Sequence, residues 1–222
     1  MNASRFFAVS LACAGALSPA ATLADEPSPW SIGLRGGISA AGGVPSNDSI
    51  NMAFAVSYRL AGGRHAGVAI ESMDFDYEMP HRVVGIRQDR ALEPEDIDSS
   101  ASSTLVAVFY EQQHGEAAAR WTPYWSVALA FASPDTPPVT GPVQGGGTFD
   151  VRTDAGTEYI PGVRAGYRWN FAPLWSADFS LSVNHHFADW KVEDRQSGNT
   201  DRVDDYTHYG AQLGLVYRFG AR

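Results

Sequence analysis

Large apolar side chains occupy every second position over long stretches of this 222-residue chain, and this alternation limits the possible folds more than any other feature. The ending YGAQLGLVYRFGAR, residues 209–222, shows it most clearly, with apolar groups on one face and glycines and polar groups on the other. A period of two residues is the period of a β-strand. Chain ends of soluble domains tend to fray and be polar, so this ending indicates a strand whose apolar face has a lasting apolar environment.

The alternation occurs in eight segments. They read WSIGLRGGIS, INMAFAVSYRL, AGVAIESMDFDYEM, SSTLVAVFYEQ, WTPYWSVALAF, EYIPGVRAGYRW, WSADFSLSVNHHF and the ending itself. In the third segment the apolar residues change from even-numbered positions (Val68 and Ile70) to odd-numbered positions (Met73 onward). This change of face predicts a β-bulge near Glu71 or Ser72. The fourth segment is apolar on both faces, so its orientation stays open.

The connections between these segments alternate between long and short. Long stretches such as PHRVVGIRQDRALEPEDIDS and SPDTPPVTGPVQGGGTFDVRTDAG therefore fall at one end, and tight turns such as AGGR and NFAP fall at the other. Outer-membrane barrels have long external loops and short periplasmic turns. A ten-residue strand rises about 33 Å, and a tilt of about 40° leaves a height near 25 Å, which matches the apolar band of such barrels.

These observations predict an all-β fold: an eight-stranded antiparallel up-and-down transmembrane β-barrel in the cell outer membrane. A soluble β-sandwich or a lipocalin-like barrel has the same period but turns its apolar face inward. In the membrane barrel the charged residues of the strands form a lumen charge network, which comprises Arg35, Arg59, Glu71, Glu158, Arg164, Arg168, Asp178 and Arg218.

Aromatic residues mark the predicted ends of the strands. Tryptophan and tyrosine favour the interface between membrane and water, and outer-membrane barrels carry an aromatic girdle at each interface. The predicted interfacial aromatics are Trp30, Trp121, Trp169, Trp175 and Trp190.

The first 24 residues have the order of a secretory signal peptide. Arg5 supplies a positive charge, FFAVSLACAGAL is an apolar run too short to span a membrane, and small residues precede Asp25. We therefore expect a signal peptide at 1–24 and the barrel domain at 25–222. A lipoprotein signal that uses Cys13 is the alternative. Since Cys13 is the only cysteine, the mature barrel would contain no disulfide.

The charge balance restricts the partners. The formal net charge is −9 at pH 7, which argues against nucleic acid as a partner. No apolar run is long enough for a transmembrane helix. We expect a monomer whose surroundings are outer-membrane lipid and lipopolysaccharide.

Two stretches resemble a known family. TLVAVFYEQQHGEAAARWTPYWSVALAF (residues 104–131) places a strand and a turn before a strand with a Pro-Tyr pair, and GLVYRF (214–219) ends the last strand. The chain resembles the small eight-stranded outer-membrane barrels of Gram-negative bacteria, the group of the OmpA transmembrane domain, OmpX and OmpW, and most of all the OmpW branch. The resemblance implies an insertion signal at Tyr217 and Phe219 that is recognised by the barrel-assembly machinery, although three residues follow Phe219. It also implies passage of small apolar solutes sideways into the bilayer.

An eight-stranded barrel is narrow enough for side chains to fill its interior. We therefore predict a salt-bridged, closed lumen, with Asp178 as the main partner of the arginines and Glu111 as a second candidate. A narrow anion path, and thus a channel or porin, is the alternative.

The predicted outer loops are acidic, with carboxylates in EPEDID (93–98) and from Glu193 to Asp205. Such oxygen ligands suit divalent cations bridging to lipopolysaccharide, and Arg82, Arg87 and Arg90 suit lipid phosphates, but the spacing matches no EF-hand. A solvated loop is the simpler interpretation. We predict neither a metal site nor a cofactor.

The NHHF motif raises an enzymatic alternative. His185 is expected to face lipid and His186 the lumen, with His208 on the adjoining strand. Lipid-A-modifying barrels use a histidine and a serine two residues later, but Phe187 and Ala188 occupy those positions after His185 and His186. The sequence therefore predicts a protein without catalytic activity.

Overall fold

The computed structural model describes residues 29–42, 49–78, 98–115, 119–142 and 148–219, and all regular structure in these ranges is β-strand. Its strands are β1 (Trp30–Gly42), β2 (Ser49–Arg59), β3 (Arg64–Glu78), β4 (Asp98–Gln113), β5 (Trp121–Asp135), β6 (Val139–Pro142), β7 (Thr148–Ala155), β8 (Glu158–Asn170), β9 (Trp175–His186), β10 (Trp190–Asp194), β11 (Thr200–Val203) and β12 (Tyr206–Arg218). The predicted signal peptide, most of the EPEDID stretch and the arginines at 82, 87 and 90 lie outside the described residues.

Eight of these strands form a closed antiparallel barrel in the order β1, β12, β9, β8, β5, β4, β3, β2. The last strand closes it against the first, with Leu215 beside Leu34 and Ala211 beside Ile38. The predicted eight-stranded antiparallel barrel is confirmed.

The register of the pairs fixes the tilt of the strands. Following paired residues once around the barrel leads from Arg168 of β8 back to Glu158 of the same strand, an offset of 168 − 158 = 10 residues. With eight strands, this offset corresponds to a tilt of about 41°, within the range expected of closed barrels. Because the offset is even, the same face of every strand points inward all the way round.

The alternation in the sequence corresponds to the two sides of the wall. Large apolar side chains on the outer side are exposed; examples are Leu34, Ile38, Ile50, Phe54, Val68, Ile70, Val106, Val108, Val127, Leu129, Val163, Tyr167, Phe179, Leu181, Leu213 and Leu215. Serines, charged residues and small alanines occupy the inner side. This distribution is the reverse of that in a soluble sandwich or lipocalin, whose apolar face is buried.

The turn between β2 and β3 is short because glycine permits tight reversal. Between β2 and β3 the chain turns within four residues, and Gly62 and Gly63 have φ values of 71° and 72°, which side chains disfavour. Leu60 N donates to Arg64 O at 2.8 Å and closes this turn.

The register of β3 contradicts the predicted bulge. β3 pairs with β2 without interruption from His65 to Asp74, and Met73 points inward. The apolar residue at position 73 instead faces inward, at the level of the barrel where the lumen becomes apolar. The orientation of β4 is also settled, since Val106 and Val108 face outward and Leu105 faces inward.

The two longest connections described contain a second sheet that the sequence did not predict. β6 and β7 from one connection join β10 and β11 from the other in a four-stranded antiparallel sheet, in the order β11, β10, β7, β6. We call it the outer sheet. One face carries Phe149, Val151, Val192 and Val203, all buried.

The buried face of the outer sheet is continuous with the interior of the barrel near its long-loop end. The apolar cluster there contains Met73, Ala101, Leu105, Ala130, Ala132, Phe149, Val151, Ile160, Trp190, Val192, Val203 and Tyr206. Apolar side chains therefore fill much of this part of the lumen.

Candidate functional site

A buried ionic cluster holds four neighbouring strands together inside the barrel. Arg168 of β8 donates to Glu111 Oε2 of β4 at 2.7 Å and to Asp178 Oδ2 of β9 at 3.1 Å. Its guanidinium lies 4.9 Å from the ring centroid of Tyr124 in β5, whose hydroxyl donates to Asp178 Oδ1 at 2.8 Å. We call these four residues the Arg168 cluster. Arg168 therefore pairs with both carboxylates, and Tyr124 adds a second donor to Asp178.

Another polar group lies nearer the short-turn end. Arg218 of β12 donates to Asn170 Oδ1 and Ser176 Oγ, and Ser176 in turn donates to Asn170 at 2.7 Å. Asn170 also donates to Thr122 Oγ1 at 3.2 Å. Arg59 lies at the exposed end of β2. Together with the Arg168 cluster, these contacts fill the lumen toward the short turns.

The remaining arginines of the expected network line a small cavity at mid-height. Arg35 and Arg164 face a cavity of about 40 Å³ whose wall also contains Glu71. That volume suits two or three water molecules and no larger solute. Glu71 Oε1 accepts from Gln212 Nε2 at 3.2 Å. These residues share the lumen with the Arg168 cluster but are not ion-paired to it.

Glu158, also expected in the charge network, belongs to a separate cluster beneath the outer sheet. Trp190 Nε1 donates to Glu158 Oε1 at 2.7 Å, and the hydroxyl of Tyr206 donates to the same oxygen at 3.2 Å. Glu158 Oε2 lies 2.8 Å from Nδ1 of His186, whose ring stacks on Tyr206 with centroids 4.4 Å apart. The ring of His208 lies 4.7 Å from that of His186. We call these five residues the Glu158 cluster, and all of them are buried.

Exposed aromatics ring the short-turn end of the barrel. Trp30 packs edge-on against Tyr58 at 5.0 Å, and Trp121 stacks on Trp169 at 5.9 Å. Trp175 contacts Tyr217 at 4.9 Å, and Tyr217 contacts Phe219 at 5.1 Å, so the expected insertion signal joins this girdle at the end of β12.

Trp190 is the exception among the expected interfacial tryptophans. Only 1% of it is exposed, and it lies beneath the outer sheet with its indole nitrogen on Glu158. The expectation of an interfacial position was wrong because Trp190 belongs to β10 of the outer sheet and not to a barrel strand. The sequence does not show that Trp190 and Glu158, which lie on separate segments, come into contact.

Sequence reasoning also missed two members of these clusters, Tyr124 and Tyr206. Both lie near the ends of their strands, where girdle aromatics are expected, yet they point inward and donate to carboxylates. The alternation in β5 was a signal for Tyr124, since Thr122 and Ser126, two residues before and after it, are polar and inward as well.

The described part of the chain contains no group of histidine, cysteine and carboxylate side chains that could hold a metal ion. No helix among the described residues is long and apolar enough to cross a membrane.

A closed eight-stranded barrel with an apolar exterior, an aromatic girdle and an ion-paired interior defines the class of small outer-membrane β-barrels. No protein-family model matches the chain, and no curated protein matches it in sequence. Solved structures do match its fold. Neisserial surface protein A (NspA) is 12% identical, with 88% of this chain and all of that chain covered, at a TM-score of 0.54.

Two further structures give similar values. The outer membrane protein OprG from Pseudomonas aeruginosa is 10% identical over 88% of this chain and 98% of its own, with a TM-score of 0.52. A major outer membrane protein from Thermus thermophilus is 15% identical over 86% and 99%, with a TM-score of 0.53. The expected likeness to small eight-stranded outer-membrane barrels is confirmed at the level of fold.

Proposed function

We propose that the protein is an integral outer-membrane barrel with a closed lumen that presents a folded β-sheet at the cell surface. The observation that carries this proposal is the combination of an apolar exterior with two interior seals. The Arg168 cluster fills the lumen on the short-turn side, and the apolar cluster around Leu105 and Ile160 fills it on the long-loop side. An open pore needs a continuous polar path, and the cavity between these two seals has space for a few waters only.

Electrical recording tests the closed lumen. Purified protein inserted into planar bilayers should give no stepwise conductance above that of protein-free membranes. Replacing Arg168 by Ala should remove the seal on the short-turn side while leaving the apolar seal in place, so conductance should stay absent. Regular current steps from the wild-type protein would refute the proposal of a closed lumen.

The surface position of the outer sheet is tested on whole cells. Lys191 and Glu193 lie on the exposed face of β10, and a cysteine at either position should react with a membrane-impermeant maleimide. A cysteine in place of Ala61, which is exposed in the short turn between β2 and β3, is the matched control and should stay unlabelled. Labelling of the control alone would reverse the proposed orientation.

We further propose that the protein is not an enzyme. The imidazole Nδ1 of His186 is engaged by Glu158, as in a catalytic dyad, but no described serine donates to His186. The dyad is also sealed beneath Trp190 and Tyr206. Mass spectrometry of lipid A from cells with and without the protein should give identical spectra, and a mass change that depends on His186 would identify a lipid-A-modifying activity.

A second candidate function is sideways passage of small apolar solutes, favoured by an interruption of the barrel wall. The β8–β9 ladder begins at Gly162 and Asn184, and beyond it only Tyr159 and Phe187 form an isolated bridge. Pro161, which has no N–H, lies in this gap. Gly162 and Asn184 also line the mid-height cavity, so the interruption is adjacent to interior space.

Uptake by proteoliposomes tests the sideways path. If solutes leave through this gap, replacing Pro161 by Val should restore a backbone donor and slow the uptake of a small apolar fluorophore. Replacing Pro173, in the short turn between β8 and β9, by Ala should leave uptake unchanged. Equal uptake by protein-containing and protein-free liposomes would remove this candidate and leave the closed barrel.

We also propose that the protein is a monomer surrounded by outer-membrane lipid and lipopolysaccharide, and that the barrel-assembly machinery inserts it. The apolar exterior supports lipid as the surrounding medium, and the aromatic end of β12 with Tyr217 and Phe219 supports recognition by the machinery.

A further inference from the structure

The mid-height cavity contains two arginines whose charge is not matched by contact. Arg35 is only 7% exposed, and its Nε has no hydrogen-bond partner. The Nε of Arg164 is likewise buried and without a partner. Among the described residues, neither side chain forms an ion pair or a hydrogen bond, whereas Arg168 in the same lumen forms both.

The nearest carboxylates are already engaged. Asp178 attracts Arg35 electrostatically, but its two oxygens accept from Tyr124 and Arg168. Glu71 lines the cavity and accepts from Gln212. The carboxylates therefore stabilise this region at a distance, while the two guanidinium groups lack direct acceptors.

Arg35 and Arg164 also repel each other across the cavity. Guanidinium groups do not lose their proton in proteins, so this repulsion cannot be relieved by deprotonation. A buried charge without a hydrogen-bonded counter-charge is costly. An anion between the two groups would accept hydrogen bonds from both and offset the repulsion.

The walls of the cavity set the size of such an anion. Ala53, Ala69, Ala107 and Ala128 face the arginines, and their small side chains create the space. At about 40 Å³ the cavity accommodates a monatomic ion with a water molecule, but not a sugar phosphate or an amino acid.

We propose that a small inorganic anion of the size of chloride binds in the lumen between Arg35 and Arg164. The anion offsets one of the two positive charges, accepts hydrogen bonds from both guanidinium groups and completes the interior packing at mid-height. Since the lumen is sealed on both sides of this cavity, the anion enters while the barrel folds and exchanges slowly afterwards.

Bromide provides a direct test because it replaces chloride and scatters anomalously. Full-length mature protein is refolded into detergent in sodium bromide and crystallised. The expected result is an anomalous peak inside the barrel, in contact with both Arg35 and Arg164. Peaks confined to the outer surface, or a lumen that holds water only, would overturn the proposal.

Thermal unfolding provides an independent test in solution. Protein refolded in chloride should unfold about 2–4 °C higher than protein refolded in gluconate at the same ionic strength, because gluconate is too large for the cavity. The Arg164→Gln variant should lose this difference, and Arg164→Lys should keep part of it. The matched control Arg152→Gln, on the exposed face of the outer sheet, should keep all of it.

Equal unfolding temperatures of the wild-type protein in chloride and gluconate would contradict the proposal. Should Arg164→Gln fail to fold, as judged by gel migration, the bromide experiment on the wild-type protein still decides between the outcomes.

Discussion

Arg168 shows how one inward side chain can hold a barrel wall together from within. It connects β8 to β4 and β9 through two carboxylates and packs on the ring of Tyr124 in β5. A single arginine is suited to this task because its planar guanidinium donates in several directions at once and stays charged.

Replacing Asp178 by Ala should destabilise the barrel by about 3–5 kcal/mol, the usual cost of removing one partner from a buried ion pair. The change leaves the hydroxyl of Tyr124 and one side of Arg168 without their acceptor. Urea unfolding in detergent micelles, followed by tryptophan fluorescence, measures the free energy of unfolding. Asp189→Ala is the control, since the Asp189 side chain is 84% exposed, and it should change the stability little. Equal stability of the two variants would show that the cluster does not support the barrel.

At the residue scale, alternation predicts which side of the wall a residue faces but not which partner it meets. It placed Arg168 and Asp178 in the lumen and suggested Glu111 as a partner, because these residues fall on the polar face of their strands. Alternation could not show that Glu158 lies in a different cluster from the other charged residues. The partners of Glu158, Trp190 and Tyr206, are brought to it where the outer sheet meets the barrel.

The outer sheet is the element that distinguishes this barrel from a plain cylinder with loops. Its strands extend the hairpins of the barrel, and the Glu158 cluster lies where the two meet. Two connections rich in glycine, proline and charge were expected to be loops, because the apolar alternation in β7 and β10 covers only a few residues. Pairing between distant segments, which the sequence does not display, makes such short strands stable.

Glu158→Ala should loosen the outer sheet without opening the barrel. The substitution leaves Trp190, Tyr206 and His186 without their common acceptor in a buried site. We expect faster proteolysis within residues 187–205 and a red shift of tryptophan fluorescence, while the faster gel migration of the unboiled barrel persists. Glu193→Ala, on the exposed face of β10, should change neither readout. Loss of the fast-migrating form in Glu158→Ala would show that the cluster supports the barrel itself.

The turn after β10 should depend on acidity. Burial raises the pKa of Asp194, but hydrogen bonds from Ser197, Gln196 and the backbone of Asp150 outweigh it and hold that pKa below its ordinary value of 3.8. Ionised Asp194 therefore stabilises the turn at all pH values above 3.8, and this contribution is lost as the pH falls through the lower pKa of the folded state. Backbone amide hydrogen exchange at residues 195–199, corrected for the intrinsic rate at each pH, should rise at the most acidic pH in the wild-type protein only. In the Asp194→Asn variant the corrected exchange rate should not change with pH in this range.

At the scale of the whole molecule, period and loop length were sufficient to predict the barrel. Eight alternating segments, separated in turn by short and long connections, leave few antiparallel arrangements, and the closing pair of β1 and β12 follows from them. The interior was less predictable. The apolar phase shift at Met73 was interpreted as a bulge, whereas it reflects a change from a polar to an apolar lumen toward the outer sheet.

The central claim is that the large apolar side chains of the barrel strands face acyl chains while the charged ones are enclosed. Spin labelling tests it most directly, and it is practical because Cys13, in the expected signal peptide, is the only cysteine. A label at Leu181→Cys, an outward position 68% exposed in the structure, should be accessible to oxygen dissolved in the bilayer and shielded from a water-soluble nickel complex. A label at Leu181 that collides freely with the nickel complex and is shielded from bilayer oxygen would contradict the account.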